Sequence, residues 1–250
     1  MGELKIDLNC DVGEGCGNDA ALMSFISSAN IACGYHAGDA ETMKRTVDLA
    51  LEHNVAIGAH PGFADRESFG RTAMNLSLDE VRQLVADQIE ALSNIAAAAG
   101  GKLIHVKPHG ALYNQAARDA ELAAAIARTV ADIDNSLFLL GLSGSVSITE
   151  AQNIGLGTAS EVFADRTYQN DGSLTPRKEV NALIRDTEQA VTQVLDMIKY
   201  GRVRSVDSIM IKIVAETVCI HGDNDNAVEF ARAINEKLTD NGIEISRIHG

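Results

Sequence analysis

The sequence has 250 residues, of which 46% are hydrophobic, and a formal net charge of −14. A chain of this length can form one or two domains, and its apolar content is sufficient for a sizeable core. The acidic balance argues against nonspecific binding to nucleic acid or to a membrane surface, because both depend on clustered lysine and arginine. These quantities exclude little else.

The cysteine spacing and the lengths of the apolar runs indicate the cellular compartment. No apolar run reaches the ~18 residues that a membrane span needs, and the first residues lack the charged and apolar regions of a signal peptide. The four cysteines show no Cys-x-x-Cys spacing. Small buried thiols are the ordinary interpretation of such residues, so we expect a reduced, cytoplasmic protein.

The first predicted element is a strand with one polar face. Side chains alternate along a strand, so the apolar residues near its start share one side while Asp7, Asn9 and Asp11 share the other. A buried strand does not carry two carboxylates and an amide without a chemical reason. A solvent-facing edge strand is the alternative. A glycine-rich turn, residues 13–17, follows.

The remaining elements alternate between helix and strand. Asp39, the Ser77–Glu80 capping box and Asp186 mark helix starts, while Asn54 and Gly201 mark helix ends. The helices are predicted at 19–28, after Asp39, after Ser77, at 116–131, at 146–153, after Asp186 and near the C-terminus. The six further strands are predicted at 29–33, 55–59, 103–107, 137–141, 159–163 and 217–221, with an accessory strand at 209–214. The turn signals within residues 164–185 predict a long polar connection.

Strands that alternate with helices form parallel βαβ units. Seven units in 250 residues favour an incomplete or distorted α/β barrel, and an open doubly wound sheet is the alternative. No domain boundary is evident, so a single barrel domain is predicted over residues 1–250.

Polar residues gather at the predicted carboxyl ends of the strands, where α/β barrels place their functional side chains. The side chains at these ends are Asp7, Asn9, Asp11, Asn30, His36, His60, His105, Lys107, His109, Glu161, Asp165, Arg166, His221 and Asp223. One histidine after a strand is commonly structural, but such residues on six strands predict an active site.

These residue types indicate acid–base or electrostatic chemistry. Histidines and carboxylates exchange protons near neutral pH, while Lys107 or Arg166 can hold a carboxylate or stabilise an oxyanion. The same set can bind a divalent metal, but no His-Glu-x-x-His spacing fixes a ligand set. Val12 and Asn18 exclude an EF-hand calcium loop. Dinucleotide-binding and Walker A motifs are also absent.

Six blocks of sequence resemble the LamB/YcsF family. They are KIDLNCDVGEG, SANIACGYHAGD, VAIGAHP, HVKPHGALYN, EVFADR and TVCIHGD, at residues 5–15, 28–39, 55–61, 105–114, 161–166 and 217–223. They follow one another across nearly the whole chain. The late loop departs from the family pattern, with Lys178 and Asn181 where serine and glycine are usual.

The resemblance implies a distorted (β/α)7 barrel like those of the glycoside hydrolase/deacetylase superfamily. It also implies ATP-dependent opening of the lactam of 5-oxo-L-proline to L-glutamate, together with partner subunits B and C. ATP is then a co-substrate of the complex. By analogy with deacetylases, Asp7, His36 or His60 is a candidate metal ligand, and the need for a metal stays open, as does a homo-oligomer.

On this interpretation the site residues divide into two groups. The catalytic residues are expected to be Asp7, His60, Lys107, His109 and Glu161. The substrate-binding residues are expected to be Asn9, Asp11, Asn30, His36, Arg71, Asp165, Arg166, His221 and Asp223. Two alternative functions remain at this point, namely a stand-alone metal-dependent deacetylase or amidohydrolase and a non-catalytic subunit that delivers substrate.

Overall fold

The computed structural model of this chain describes residues 4–221 and 227–248. Within them, parallel strands form a barrel and helices pack around its outside. The strands are β1 Leu4–Val12, β2 Ser28–Ala32, β3 Ala56–His60, β4 Leu103–Val106, β5 Phe138–Leu142, β6 Gly157–Phe163, β7 Arg202–Arg204, β8 Met210–Lys212, β9 Thr217–His221 and β10 Ile243–Ile245. The helices are α1 Asp19–Leu22, α2 Ala40–Glu52, α3 Leu78–Ala98, α4 Gly110–Ala116, α5 Ala120–Ile133, α6 Val146–Asn153, α7 Thr187–Tyr200 and α8 Ala227–Asp240.

The barrel closes through β1. Strands β1 to β6 follow one another in space, and β9 pairs with both β6 and β1 in parallel. This closed ring of seven parallel strands confirms the predicted distorted (β/α)7 barrel and excludes the open sheet. The distortion lies at β1, where Leu4–Ile6 pair with β10 and the following residues pair with β9.

The interior of the barrel is polar near its carboxyl end. On β1, Leu8 and Cys10 pack outward into the helix layer, whereas Asp7, Asn9 and Asp11 point inward, as alternation requires. All three polar side chains are at most 7% exposed. The edge-strand alternative for this stretch is therefore wrong.

Helix starts follow the predicted caps. The Ser77 hydroxyl accepts from the Glu80 amide, and the Glu80 carboxylate accepts from the Ser77 amide, which completes a capping box at α3. Asp39 and Asp186 cap α2 and α7 through their side chains. At helix ends, Asn54 has a φ of 56° and Gly201 a φ of 59°, as their predicted left-handed roles require.

Two helix predictions are wrong in extent. The helix expected at 19–28 ends at Leu22, because the chain turns and then enters β2 at Ser28. The helix expected at 116–131 begins only at Ala120, as α5, and a separate helix, α4, precedes it at Gly110–Ala116. The break between them occurs at Asp119, whose side chain accepts from the amides of Glu121 and Leu122 and begins a new helix.

The late part of the chain contains strands that the pattern missed. The predicted accessory strand, 209–214, is shortened to β8 and forms an antiparallel hairpin with β7. Strand β10 has only three residues, and its Ile-Glu-Ile pattern is too short to separate a strand from the end of a helix. No helix among the described residues is long and apolar enough to span a membrane. No disulfide joins the four cysteines.

A candidate active site at the carboxyl ends of the barrel strands

A large cavity opens at the carboxyl ends of the barrel strands. Its volume is about 890 Å³. Its wall includes the apolar side chains of Phe163 and Leu174, and six basic side chains surround it: Arg71, Lys107, Arg118, Arg166, Arg177 and Lys178. Three acidic residues, Asp11, Glu14 and Asp119, also line it. The cavity is therefore basic although the whole chain is acidic.

Below the cavity, Asp7 is enclosed by hydroxyl groups. Its Oδ1 accepts from Ser27 Oγ at 2.8 Å and from Ser28 Oγ at 2.6 Å, and its Oδ2 accepts from the Thr217 hydroxyl. Burial raises the pKa of the Asp7 carboxyl to about 6, even though the hydrogen bonds from these hydroxyls oppose the shift. Asp7 does not line the cavity.

Above Asp7, two asparagines connect opposite sides of the barrel. Asn9 Nδ2 donates to Glu161 Oε1 at 3.0 Å, and Asn30 Nδ2 donates to Asn9 Oδ1 at 2.7 Å and to Asp11 Oδ1 at 2.8 Å. His105 Nε2 lies 2.7 Å from Asn30 Oδ1 and donates to it. The His105 ring fits because Gly58 has no side chain, since a Cβ there would lie 2.0 Å from Nε2. This network fixes the orientation of both amides.

At the floor of the cavity, Lys107 is held between two carboxylates. Its Nζ lies 2.8 Å from Asp11 Oδ1, 2.8 Å from Glu161 Oε1 and 3.1 Å from Cys219 Sγ. Burial lowers the pKa of the ammonium, but Asp11 and Glu161 outweigh burial and raise it well above its ordinary value. Lys107 is therefore a fixed cation at neutral pH and not a general base.

Asp11 joins this lysine to a group of histidines. Its Oδ1 faces Lys107, and its Oδ2 lies 3.3 Å from His60 Nε2. Burial opposes the charged form of Asp11, but the neighbouring His60 and Lys107 outweigh it and keep the pKa well below its ordinary value. Asp11 is therefore ionised, and it accepts a hydrogen bond from Lys107.

The histidine group comprises His36, His60 and His109, with Glu14 beside it. His60 Nε2 lies 2.9 Å from His109 Nδ1, and Glu14 Oε1 lies 3.4 Å from both His36 Nε2 and His109 Nδ1. The rings of His36 and His109 are stacked with centroids 3.8 Å apart. Burial is the main cause that lowers the pKa of His36 to about 3 and that of His109 well below its ordinary value.

Backbone carbonyls fix the tautomers in this group. His60 Nδ1 lies 2.7 Å from the Lys107 carbonyl, and His109 Nε2 lies 2.9 Å from the Phe69 carbonyl. Each of these nitrogens must carry hydrogen to donate. Phe69 has a φ of 56°, a strained conformation for a bulky residue, and it directs this carbonyl at His109.

A second pair lies on the opposite side of the cavity. His221 Nδ1 is 2.9 Å from both carboxylate oxygens of Asp165. Burial opposes the charged form of Asp165, but His221 outweighs it and lowers the pKa. Arg166 is anchored by the Thr175 and Ala182 carbonyls, and burial together with Arg177 lowers its pKa to about 10, so it stays cationic at neutral pH.

Two groups of side chains have the composition of a metal site. One consists of Glu14, His36, His60 and His109, and the other of Asp11, Cys219 and His221. The second group already contains a cation, because the Lys107 ammonium contacts both Asp11 and Cys219. The first group is enclosed by the barrel strands and the loop that carries Phe69.

The LamB/YcsF family model matches residues 6–250. The chain belongs to the LamB/YcsF family. Two relatives are also similar to it, and each bears the name of the A subunit of 5-oxoprolinase. The one from Geobacillus kaustophilus (strain HTA426) is 56% identical over 244 residues, covering 96% of this chain and 95% of the relative. The one from Erwinia tasmaniensis is 51% identical over 243 residues, covering 97% and 99%.

Solved structures agree with this LamB/YcsF assignment. The lactam utilization protein from Thermus thermophilus superimposes with a TM-score of 0.91 at 43% identity, covering 98% of this chain and 100% of that chain. A family 4 carbohydrate esterase from Streptomyces lividans gives a TM-score of 0.53 at 12% identity, covering 100% and 95%. The second likeness shows a shared fold alone, and that fold agrees with the predicted barrel.

The structure places most of the predicted site residues of this LamB/YcsF protein around one cavity. The cavity is lined by Asp11, His60, Arg71, Lys107, His109, Arg166 and His221. Six predicted site residues do not line it: Asp7, Asn9, Asn30, His36, Glu161 and Asp165. All but Asp7 contact a residue that does, whereas Asp7 contacts Ser27, Ser28 and Thr217. Asp223 lies outside the described residues. Their roles in substrate binding or catalysis stay predictions.

Sequence reasoning missed Glu14 and Cys219, and it also missed Arg118 and Arg177 in the cavity wall. Glu14 follows the last residue of β1 in the glycine-rich turn, where Gly13 and Gly15 have φ values of 72° and 88°. Strand alternation ends there and gives no direction for its side chain. Cys219 shares a strand face with His221, which was a usable signal, but a buried cysteine is commonly only a core residue. Asp7, a metal candidate by analogy, binds hydroxyls and lies outside both groups.

Proposed function

We propose that this chain is the barrel subunit of an ATP-dependent 5-oxoprolinase that converts 5-oxo-L-proline to L-glutamate. The names of the two similar relatives and of the lactam utilization protein support this proposal. We further propose that ATP is a co-substrate of the complex, that subunits B and C are the partners, and that the complex works in the cytoplasm.

The chemistry explains the use of ATP. A five-membered lactam is a stable amide with a poor amine leaving group, so water attacks its carbonyl slowly. Activation of the carbonyl oxygen, for example by phosphorylation, makes that attack feasible. We assign this activation to the partner subunits, and the barrel handles the lactam or its activated form.

The observation that carries the proposal is the Lys107 ammonium at the cavity floor. Asp11 and Glu161 fix its position at 2.8 Å each. A preorganised cation stabilises negative charge that develops on a carbonyl or phosphoryl oxygen without reorganisation during the reaction. Because Lys107 stays charged, it cannot accept a proton, and proton transfer falls to the histidines around the cavity.

The basic residues of the cavity suit an anionic ligand. Arg166 and Arg177 line the wall beside the Asp165–His221 pair and can bind the carboxylate of 5-oxoproline. A volume of about 890 Å³ exceeds what this small lactam needs. The remaining space accommodates a phosphorylated form of the substrate.

The test is 5-oxoproline-dependent ATP hydrolysis and glutamate release in the reconstituted complex, with and without this chain. Lys107→Met is expected to lower kcat by roughly 10²–10³, the usual cost of removing a group that stabilises an oxyanion. His60→Ala and Asp7→Asn are expected to lower turnover as well. Lys102→Met removes an exposed lysine just before β4 and is the matched control. Near-normal glutamate release from all three site variants would refute the assignment.

The same assay separates the other functions. A stand-alone deacetylase or amidohydrolase releases product from N-acetyl sugars or amides without ATP and without the partners. A subunit that only delivers substrate predicts that Lys107→Met and His60→Ala raise KM and leave kcat unchanged. Either result would replace the proposal.

A further inference from the structure

The lone pairs of two histidines converge next to the cavity. His60 Nδ1 and His109 Nε2 donate to backbone carbonyls, so the other nitrogen of each neutral ring carries a lone pair. These two nitrogens, His60 Nε2 and His109 Nδ1, lie 2.9 Å apart. Two lone pairs at this distance repel each other unless a proton or a metal ion interacts with both.

A third histidine and a carboxylate face the same point. His36 is 1% exposed, and neither of its ring nitrogens has a hydrogen-bond partner within residues 4–221 and 227–248. Its Nε2 lies 3.4 Å from Glu14 Oε1, which is also 3.4 Å from His109 Nδ1 and 3.9 Å from His60 Nε2. A buried imidazole without such a partner is costly, and a metal ion at Nε2 would satisfy the nitrogen that faces Glu14.

These separations match the dimensions of a zinc site. Zinc binds nitrogen and oxygen at roughly 2.0–2.2 Å in a tetrahedron, so two ligand atoms are about 3.4 Å apart. Four of the six separations among the ligand atoms run from 2.9 to 3.9 Å, and all six are within 4.8 Å. The carbonyls behind His60 and His109 also follow the usual arrangement, in which the second ring N–H of a metal-bound histidine donates to a backbone carbonyl.

We propose that four buried side chains form a binding site for one zinc ion: Glu14, His36, His60 and His109. A bound zinc ion would lie next to the cavity and supply a Lewis acid there. A ligand nitrogen directs its lone pair in the plane of its ring, so binding would require His36 and His109 to turn out of their parallel stack. The proposal does not depend on 5-oxoprolinase activity.

The experiment measures zinc binding to the purified chain after dialysis against a chelator. A Cys16→Ser background removes the exposed thiol. Calorimetric titration with zinc chloride is expected to show one ion per chain, and cobalt(II) is expected to give the visible absorption of a tetrahedral ion. His36→Ala and Glu14→Gln are each expected to weaken binding at least tenfold. Circular dichroism checks that each variant is folded.

Two control variants make the result specific. His53→Ala removes an exposed histidine after α2, and Cys219→Ser changes the group that Lys107 already occupies. Both are expected to keep the affinity of the background. The proposal would be overturned if the background protein did not bind zinc, or if His36→Ala and Glu14→Gln bound it as tightly as the background does. A proton shared by His60 and His109 would then explain their short separation. A chain that binds zinc but supports no lactam hydrolysis would refute only the proposed function.

Discussion

The Asp7 carboxyl shows how burial and hydrogen bonding compete at one residue. Three hydroxyl donors stabilise its charged form, while complete enclosure in the barrel stabilises its neutral form. Burial prevails, and its pKa is raised from 3.8 to about 6. An acid with a raised pKa binds its proton more tightly in the folded state, so its contribution to the free energy of unfolding falls as pH rises through this range.

The change Asp7→Asn tests this effect on stability. A shift from 3.8 to about 6 corresponds to about 3 kcal/mol. From pH 4 to pH 6.5 we expect the unfolding free energy of Asp7→Asn, relative to wild type, to increase by about 2 kcal/mol, which is most of this amount. Denaturant unfolding at a series of pH values measures it. Asp132→Asn, at an exposed position of α5, is the control. A difference that does not vary with pH would contradict the raised pKa.

Sequence alone predicted many of the residues that the structure brings together around the cavity, but not their contacts. Lys107 was recognisable because a lysine at the end of an apolar strand needs a partner. That its partners are Asp11 and Glu161 depends on barrel closure, which brings together Lys107 and Asp11 from positions 96 residues apart. Glu14 was missed because positive φ values in a glycine turn send the next side chain in a direction that no periodicity describes.

At the scale of elements, the break between α4 and α5 lies beside the cavity. The segment is rich in alanine and reads as one helix, since alanine has the highest helix propensity. Asp119 overrides this propensity by satisfying two amides of a new helix, and it also lines the cavity. The Asp119 cap therefore determines where one helix ends and the next begins in the cavity wall.

Asp119→Ala is expected to destabilise the chain by about 1 kcal/mol, because the amides of Glu121 and Leu122 lose their acceptor. Asp119→Asn keeps a capping oxygen and is expected to remain within a few tenths of a kcal/mol of wild type. Thermal or urea unfolding measures both. Equal destabilisation by the two substitutions would show that the charge of Asp119, and not its cap, matters.

The seven barrel strands were predictable because each is a short apolar run that is followed by polar residues at its carboxyl end. Strand β7 and strand β10 were not, because three residues carry too little pattern. The same limit explains the shortened accessory strand. Such short segments become strands because they form hydrogen bonds with other segments of the chain. The local sequence pattern does not show which segments will pair.

Across the whole molecule, charge is distributed unevenly. The chain carries a net charge of −14, yet six basic side chains surround the cavity. A basic opening on an acidic protein raises the local concentration of small anions there, while the acidic remainder disfavours polyanions such as nucleic acid. This arrangement agrees with a small carboxylate or phosphate as the ligand.

Strand β10 pairs with the first residues of β1, and a pair of neighbouring substitutions tests whether it completes the core. Ile243 is 2% exposed, and we expect Ile243→Ala to cost about 2–4 kcal/mol of unfolding free energy. Glu244 points to the other face and forms an exposed ion pair with Lys5 at 2.8 Å, so Glu244→Ala is expected to cost less than about 1 kcal/mol. Urea unfolding measures both. Similar costs would mean that β10 does not complete the core.

Strand β1 has a kinetic consequence for folding. Its residues pair with β9 and β10, and the Asp7–Thr217 contact spans 210 positions. Contacts between residues so far apart in the sequence form slowly. The edge of β1 that pairs with β9 and β10 therefore stays open during much of folding. An open edge is a template for another chain, which makes this strand the expected starting point of aggregation. Because β1 also carries Asp7 and Asp11, the site is completed only when the barrel closes.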